Sequence, residues 1–188
     1  TAAGGGYSDA AQHSQCLWGT FAHLPGLKVV TPSNPYDAKG LMISAIRDDN
    51  PCVYLEHKWI YRRIKEVVSE DPEHLIPLGK ADVKREGDDL TAIAYGLALH
   101  FCLEAASRLQ EEHGVSVEVV DVRTISPLDK ETILASVVKT GKALVVYEDN
   151  RTYGAGAEIV ATIAEEALFD LDAPVARMGG PDVPAMGF

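Results

Sequence analysis

Short apolar runs alternate with segments of helical periodicity along most of this chain, and that alternation limits the fold more than any other feature. Lys28 to Pro32 reads as a strand that stops at Pro32. Ser33 or Asn34 can cap a helix behind it, with Pro35 at the first helical position, where its missing N–H costs nothing. Ala38, Leu41, Met42, Ala45 and Ile46 then recur at helical spacing. Pro51 disfavours helical geometry at the residue before it, so Asp48-Asp49-Asn50-Pro51 ends the helix. Cys52 to Leu55 is the next strand. Strand, helix and strand in so short a span predict one βαβ unit with parallel strands.

The same alternation returns after Leu78. Leu90 to Tyr95 predicts a strand, and Ala98, Phe101, Cys102, Ala105 and Leu109 mark one face of a helix ending near Gly114. Val115 to Val122 predicts another strand. Ser126 to Asp129 leads into a helix with Ile133, Leu134, Val137 and Val138 on its apolar face, ended by Gly141. Ala143 to Tyr147 predicts a buried strand. Gly154 to Phe169 predicts a helix with Ile159, Val160, Ile163, Ala164 and Ala167 inward, and Val175 to Met178 a last short strand. Repeated βα units imply an α/β fold, its mostly parallel sheets covered by helices on both faces.

Between the two halves, from Glu56 to Leu78, neither period survives, and this stretch reads as a linker with a basic start and an acidic finish. Arg62-Arg63 within it reads equally as a solvated loop face or as a functional pair.

The 188 residues are 46% hydrophobic, enough for one large domain or two small ones with a real core. No apolar run approaches the roughly 20 residues that span a bilayer. A net charge of −11 argues against a duplex-binding surface, which needs clustered Lys and Arg. Cys16, Cys52 and Cys102 form no Cys-x-x-Cys pair, and so sparse a set suggests a reducing compartment. The histidines show no metal-ligand spacing. Gly154-Ala155-Gly156 after a strand resembles the start of a dinucleotide fingerprint, but Ile159 stands where a third glycine would fall, so close strand-to-helix packing is the reading adopted. What remains is His13 in Gln12-His13-Ser14-Gln15, approached through the small-residue stretch from Ala2 to Ala11. Histidine is the side chain whose unperturbed pKa lies closest to neutral. On residues alone the chain is an α/β protein with one candidate functional histidine.

The ordered string of motifs carries more. Gln12-His13-Ser14-Gln15, Pro25 to Val30, Asp37-Ala38-Lys39-Gly40-Leu41, Ala45 to Pro51 and Leu55-Glu56-His57 resemble the beta subunits of the decarboxylating component of 2-oxo acid dehydrogenases, a transketolase-like family. Pro77 to Ala81, Asp121-Val122-Arg123-Thr124, Pro127-Leu128-Asp129, Gly156 to Ile159 and Gly179 to Pro184 continue the likeness in order. It implies that residues 1–76 are the C-terminal part of a pyrimidine-binding domain with its linker. Residues 77–188 would be a transketolase C-terminal domain. It further implies thiamine diphosphate with magnesium, bound at an interface with an alpha subunit. The expected partners are that alpha subunit in an α2β2 heterotetramer, a second beta subunit and a lipoyl acyltransferase core, with no nucleic acid and no membrane. The implied reaction is oxidative decarboxylation of a 2-oxo acid of the pyruvate, branched-chain or acetoin type, with acyl transfer to a lipoyl carrier. The compartment would be the cytoplasm in a bacterium or the mitochondrial matrix in a eukaryote.

By the same resemblance His13 is the active-site histidine. It would either supply the proton for a departing lipoyl thiolate or orient the incoming acid. Ser14 and Gln15 would set its loop. No cofactor-binding residue is expected in this chain: the glutamate that activates the cofactor is expected ahead of Thr1, and a tail that docks on the core beyond Phe188. Ala45, Asp48 and Asn50 match a site where backbone carbonyls at a helix C-terminus hold potassium, the alternative being an ordinary helix stop. Two other functions stand beside this one: a catalytically silent dimerisation and docking module, or a related thiamine-diphosphate synthase joining pyruvate to a sugar phosphate.

Overall fold

The computed structural model describes residues 1–6 and 10–185. Tyr7, Ser8 and Asp9, in the approach to His13, and Met186, Gly187 and Phe188, at the end of the expected second domain, lie outside the described residues. The first half begins with strand β1 (Ala2–Ala3), a 3₁₀ turn (Ala11–His13), helix α1 (Trp18–Ala22), strand β2 (Lys28–Val30), helix α2 (Pro35–Ile46) and strand β3 (Cys52–Tyr54). Asn34 caps α2 as its residue type predicts, its side chain accepting from the Asp37 N–H at 2.7 Å, and Pro35 follows at the first position. β2 and β3 pair in parallel, as the βαβ reading requires.

The linker reading needs correction at its start. Glu56–His57 is strand β4, paired in parallel with β1, and Ile60–Arg63 is a short helix, α3. Short elements without a repeating apolar period leave no trace in a periodicity search. Arg62 and Arg63 are exposed, and the Arg63 guanidinium lies 4.2 Å from the centre of the Trp59 ring. The rest of the linker lies on α2. Ile76 is buried with Val30, Leu41 and Tyr54, and Lys39 Nζ donates to the Ser69 and Asp71 carbonyls at 2.6 and 2.9 Å.

The second half holds β5 (Asp82–Arg85), β6 (Leu90–Ala94), α4 (Leu97–His113), β7 (Val117–Asp121), β8 (Thr124–Ser126), α5 (Lys130–Thr140), β9 (Ala143–Asn150), α6 (Ala155–Glu166) and β10 (Ala176–Gly180). Five of its strands form one sheet in the order β10-β9-β6-β7-β5, parallel except for the edge strand β5. Alternate residues of β6 serve opposite faces. Ala92 and Ala94 pack with Leu99, Cys102 and Ala106 of α4, while Ile93 joins Ile133 and Val137 of α5 and Ile159 and Ile163 of α6. Both faces are therefore covered, as repeated βα units demand. Gly114 and Gly141 end α4 and α5 in left-handed conformation.

The apolar helix faces are narrower than the sequence suggests. Ile46, Phe101 and Val138 are 75%, 56% and 50% exposed, and Ala105 and Ala164 are exposed too. Each helix packs on its sheet through a stripe, and these residues lie outside it. β5 and β8 were missed altogether. β8 leaves the second half and pairs antiparallel with β2 of the first, giving a three-stranded sheet β3-β2-β8. The core accordingly runs through both halves, joining Trp18, Val29 and Leu55 to Ile93, Val120 and Val145. Among the described residues no helix is long and apolar enough to cross a membrane.

Candidate active site

His13 ends its 3₁₀ turn with an exposed side chain. The turn is set by its neighbours. Ser14 is buried, its Oγ donates to the Ala10 carbonyl at 2.8 Å, and its N–H donates to the Ala11 carbonyl. The Gln15 carbonyl accepts from the Gly4 N–H at 3.3 Å. A cavity of about 500 Å³ opens beside this turn. Its apolar lining comes from Ala3, Leu17, Phe21 and Leu55, and its polar lining includes Gln12, His13, Gln15 and Lys58. A lining of this kind, about evenly polar and apolar, can hold a small organic ligand that has both characters.

Behind the His13 turn lies a polar cluster that the sequence did not single out. Glu148, on β9, places Oε1 2.7 Å from the Gly5 N–H and Oε2 2.5 Å from His57 Nε2. The Trp59 N–H donates to His57 Nδ1 at 3.2 Å, so that nitrogen carries a lone pair and Nε2 carries the proton given to Glu148. The His57 ring is fully buried and fills the space where a Gly4 side chain would stand: a Cβ there would lie 2.1 Å from Nε2. Gly4 also has φ +83°, a conformation other residues adopt at a cost. Burial would raise the Glu148 carboxyl, but the hydrogen bonds from His57 and Gly5 outweigh it and hold it below the usual range. Burial together with the nearby Glu148 and Asp149 charges pushes the Cys16 thiol well up, keeping it protonated. Asp149, pointing to the other side of β9, accepts from the Tyr95 hydroxyl at 2.5 Å and from the Ala155 N–H at 2.7 Å. Burial pushes its carboxyl up despite these donors.

A second cluster joins the two halves. Asp37 of α2 is buried and pairs with Lys84 of β5 at 2.6 Å and with Arg123 at 3.2 Å. The Ser33 hydroxyl donates to Asp121 Oδ1 at 2.9 Å. Asp121 is fully buried, and desolvation, reinforced by the Asp37 charge, pushes its pKa up to about 7.

The residues suggested for potassium sit in sequence where α2 ends: Ala45 in the last turn, Asp48 and Asn50 in the turn behind it. The Asp48 side chain is already engaged, contacting Lys28 Nζ and accepting from the Asn50 N–H and Nδ2, both at 2.9 Å. These partners hold its carboxyl at about 2. Among the described residues no group of three or more His, Cys, Asp or Glu side chains could hold a metal ion. The glycine pair at the start of α6 does what close packing asks, since a Cβ on Gly156 would lie 2.1 Å from the Tyr147 ring.

Glu148 had one sequence signal. It follows directly on a buried apolar run, at the carboxyl end of a parallel strand, where open α/β sheets place their ligand groups. His57 stands in the sequence only as part of Leu55-Glu56-His57, and its role depends on Glu148, 91 residues away.

Comparison with known proteins agrees with this architecture. Residues 1–63 match the family described as "Transketolase, pyrimidine binding domain", and residues 79–187 match "Transketolase, C-terminal domain". The chain is 54% identical over 185 residues to the 2-oxoisovalerate dehydrogenase subunit beta of Bacillus subtilis (strain 168), covering 98% of this chain and 56% of that protein. It is 53% identical over 179 residues to the pyruvate dehydrogenase E1 component subunit beta of the same organism, covering 95% of this chain and 54% of that protein. The chain thus spans little more than half the length of these relatives. A solved structure described as "Split gene transketolase, inactive beta4 tetramer" superposes with a TM-score of 0.75 at 26% identity, over 92% of this chain and 55% of that one. With both domains matched in order on the sheets and cavity described above, the chain belongs to the transketolase family, of which it carries pyrimidine-binding and C-terminal domains.

Proposed function

We propose that this chain is part of the beta subunit of a thiamine-diphosphate-dependent 2-oxo acid dehydrogenase, with the domains dividing between residues 76 and 77. One observation carries the reading: identity above half to two such beta subunits, unbroken across both domains. The reaction is oxidative decarboxylation of a 2-oxo acid with acyl transfer to a lipoyl carrier. The assembly is an α2β2 heterotetramer with an acyltransferase core. The free thiols of Cys16, Cys52 and Cys102 suit a reducing compartment such as the cytoplasm or the mitochondrial matrix.

Thiamine diphosphate supplies, when bound, a carbon nucleophile that also accepts the electron pair released on decarboxylation. The residues present fit the organic end of such a group: apolar Leu17, Phe21 and Leu55 line a cavity that also exposes the polar Gln12 and His13. The diphosphate and its magnesium are assigned to the alpha partner. In this chain His13 is the catalytic residue. An exposed imidazole on a turn beside the cavity can give a proton to a departing lipoyl thiolate or orient an incoming acid. Ala45, Asp48 and Asn50 hold potassium through their carbonyls. Last-turn carbonyls carry the partial negative charge such an ion needs.

The test is turnover of the complete subunit assembled with its alpha partner, across pyruvate, branched-chain and acetoin-type substrates. His13→Ala should lower turnover about 10²–10⁴-fold and leave assembly intact. Full lipoyl-linked activity in that variant would remove His13 from catalysis. An assembled wild-type subunit inactive on every substrate would favour the docking-module reading. The chain by itself should not decarboxylate even with thiamine diphosphate and magnesium.

A further inference from the structure

Gly4 and Gly5 follow β1, and Glu148 reaches both of them from the second half. Its Oε1 accepts from the Gly5 N–H at 2.7 Å. Its other oxygen holds His57, whose ring packs under Gly4, and Gly4 in turn donates to the carbonyl of Gln15, two residues beyond His13. These contacts bring a residue of the C-terminal domain onto two separate segments of the pyrimidine-binding domain, one of which, through Gly4, holds the end of the His13 turn. We propose that Glu148 is a positioning residue: one carboxylate clasps Gly5 directly and Gly4 through His57, and so fixes the level at which Gly4 holds the Gln15 end of the His13 turn.

The clasp needs a carboxylate. Gly5 N–H and His57 Nε2–H are both donors, and an ionised carboxyl offers two acceptor oxygens and no proton. A glutamine of the same shape keeps one acceptor oxygen and turns an NH₂ group toward one of the donors. Charge-assisted hydrogen bonds are also about twice as strong as neutral ones, so the substitution weakens what it does not break.

The inference rests on the reading of His13 as catalytic only for its effect on turnover; its effect on the segment itself is independent. In the complete subunit assembled with its alpha partner, Glu148→Gln is measured by amide hydrogen exchange and by steady-state kinetics. Exchange should accelerate at Ala10 to Gln15 and not along the strands β6 and β7. The kcat should fall about 10- to 100-fold, the loss expected from a small misplacement of a catalytic group. The KM for the 2-oxo acid should stay within about twofold, since ground-state binding is not what the clasp supplies. Glu148→Asp keeps the carboxylate and shortens its reach by one methylene, so it should change exchange in the same direction by less. It decides the matter should Glu148→Gln fail to assemble. Unchanged exchange at Ala10 to Gln15 in the assembled variants overturns the proposal, whatever their turnover. Accelerated exchange in Glu148→Gln beside a fully active His13→Ala keeps the clasp and discards the catalytic role of His13.

Discussion

The five-stranded sheet of the second half draws every strand from residues 82–180, whereas the three-stranded sheet of the first half takes β8 from the second. In the supply of strands the dependence runs one way. The first half is tied to the second by β8, by the Asp37, Lys84 and Arg123 cluster and by Glu148, while α4, α5 and α6 cover the second half's sheet from within. An apolar core tolerates a loosened neighbour. A sheet completed by a borrowed strand does not. The candidate histidine sits in the dependent half, on a turn set by Ser14 of that half, and Glu148 of the other half reaches Gly5 and His57 behind it.

Asp37→Ala should test that asymmetry most sharply. It takes the direct ion-pair partner from the half-buried Lys84 and the buried Arg123, which keep the partly exposed Asp82 and the neighbouring Asp121. Removing one partner of a buried pair costs about 3–5 kcal/mol. Hydrogen exchange should show the loss over residues 28–54, with β6, β7 and β9 protected as before. Equal loss in both halves would mean that they unfold as one unit.

Gly156→Ala attacks from the other side. Its methyl meets the Tyr147 ring, and overpacking of this kind costs about 1–3 kcal/mol. Denaturation followed by exchange should find β9 and β10 loosened and, because β8 belongs to the same half, β2 loosened with them. A variant that loses protection only around α6 would show that the borrowed strand does not transmit the damage.

The smallest effect expected is at Asp121, between the halves. Its pKa rises from an ordinary 3.8 to about 7 in the folded chain, so the folded state keeps a proton that the unfolded state has already released. Its contribution is fully present below the ordinary value, declines as pH rises through that window and is level above it. Asp121→Asn lacks the titration. The melting temperature of the variant relative to wild type should therefore climb from about pH 5, inside the window, to about pH 8, above it. A difference independent of pH would place the ionised carboxylate comfortably among Lys84 and Arg123 after all.

The sequence by itself determined the βα alternation, the cap at Asn34, the glycine ends of α4 and α5, the close packing at Gly156 and the position of His13 on a turn set by Ser14. All of these are local. A cap, a helix stop and a repeating apolar period each act within a few residues, so each is written in neighbouring letters. Its ordered motifs also carried the family. Only the tertiary structure decided that Glu56 to Arg63 is ordered, that Phe101, Val138 and Ile46 face outward, and that β8 crosses into the other sheet. It alone brought Glu148 to His57 and Gly5, and Asp37 to Lys84 and Arg123. Those pairings join residues separated by 47 to 143 positions, and no local rule relates them. Their identity depends on which strand ends meet when two sheets pack, and that is settled by burial of the shared core.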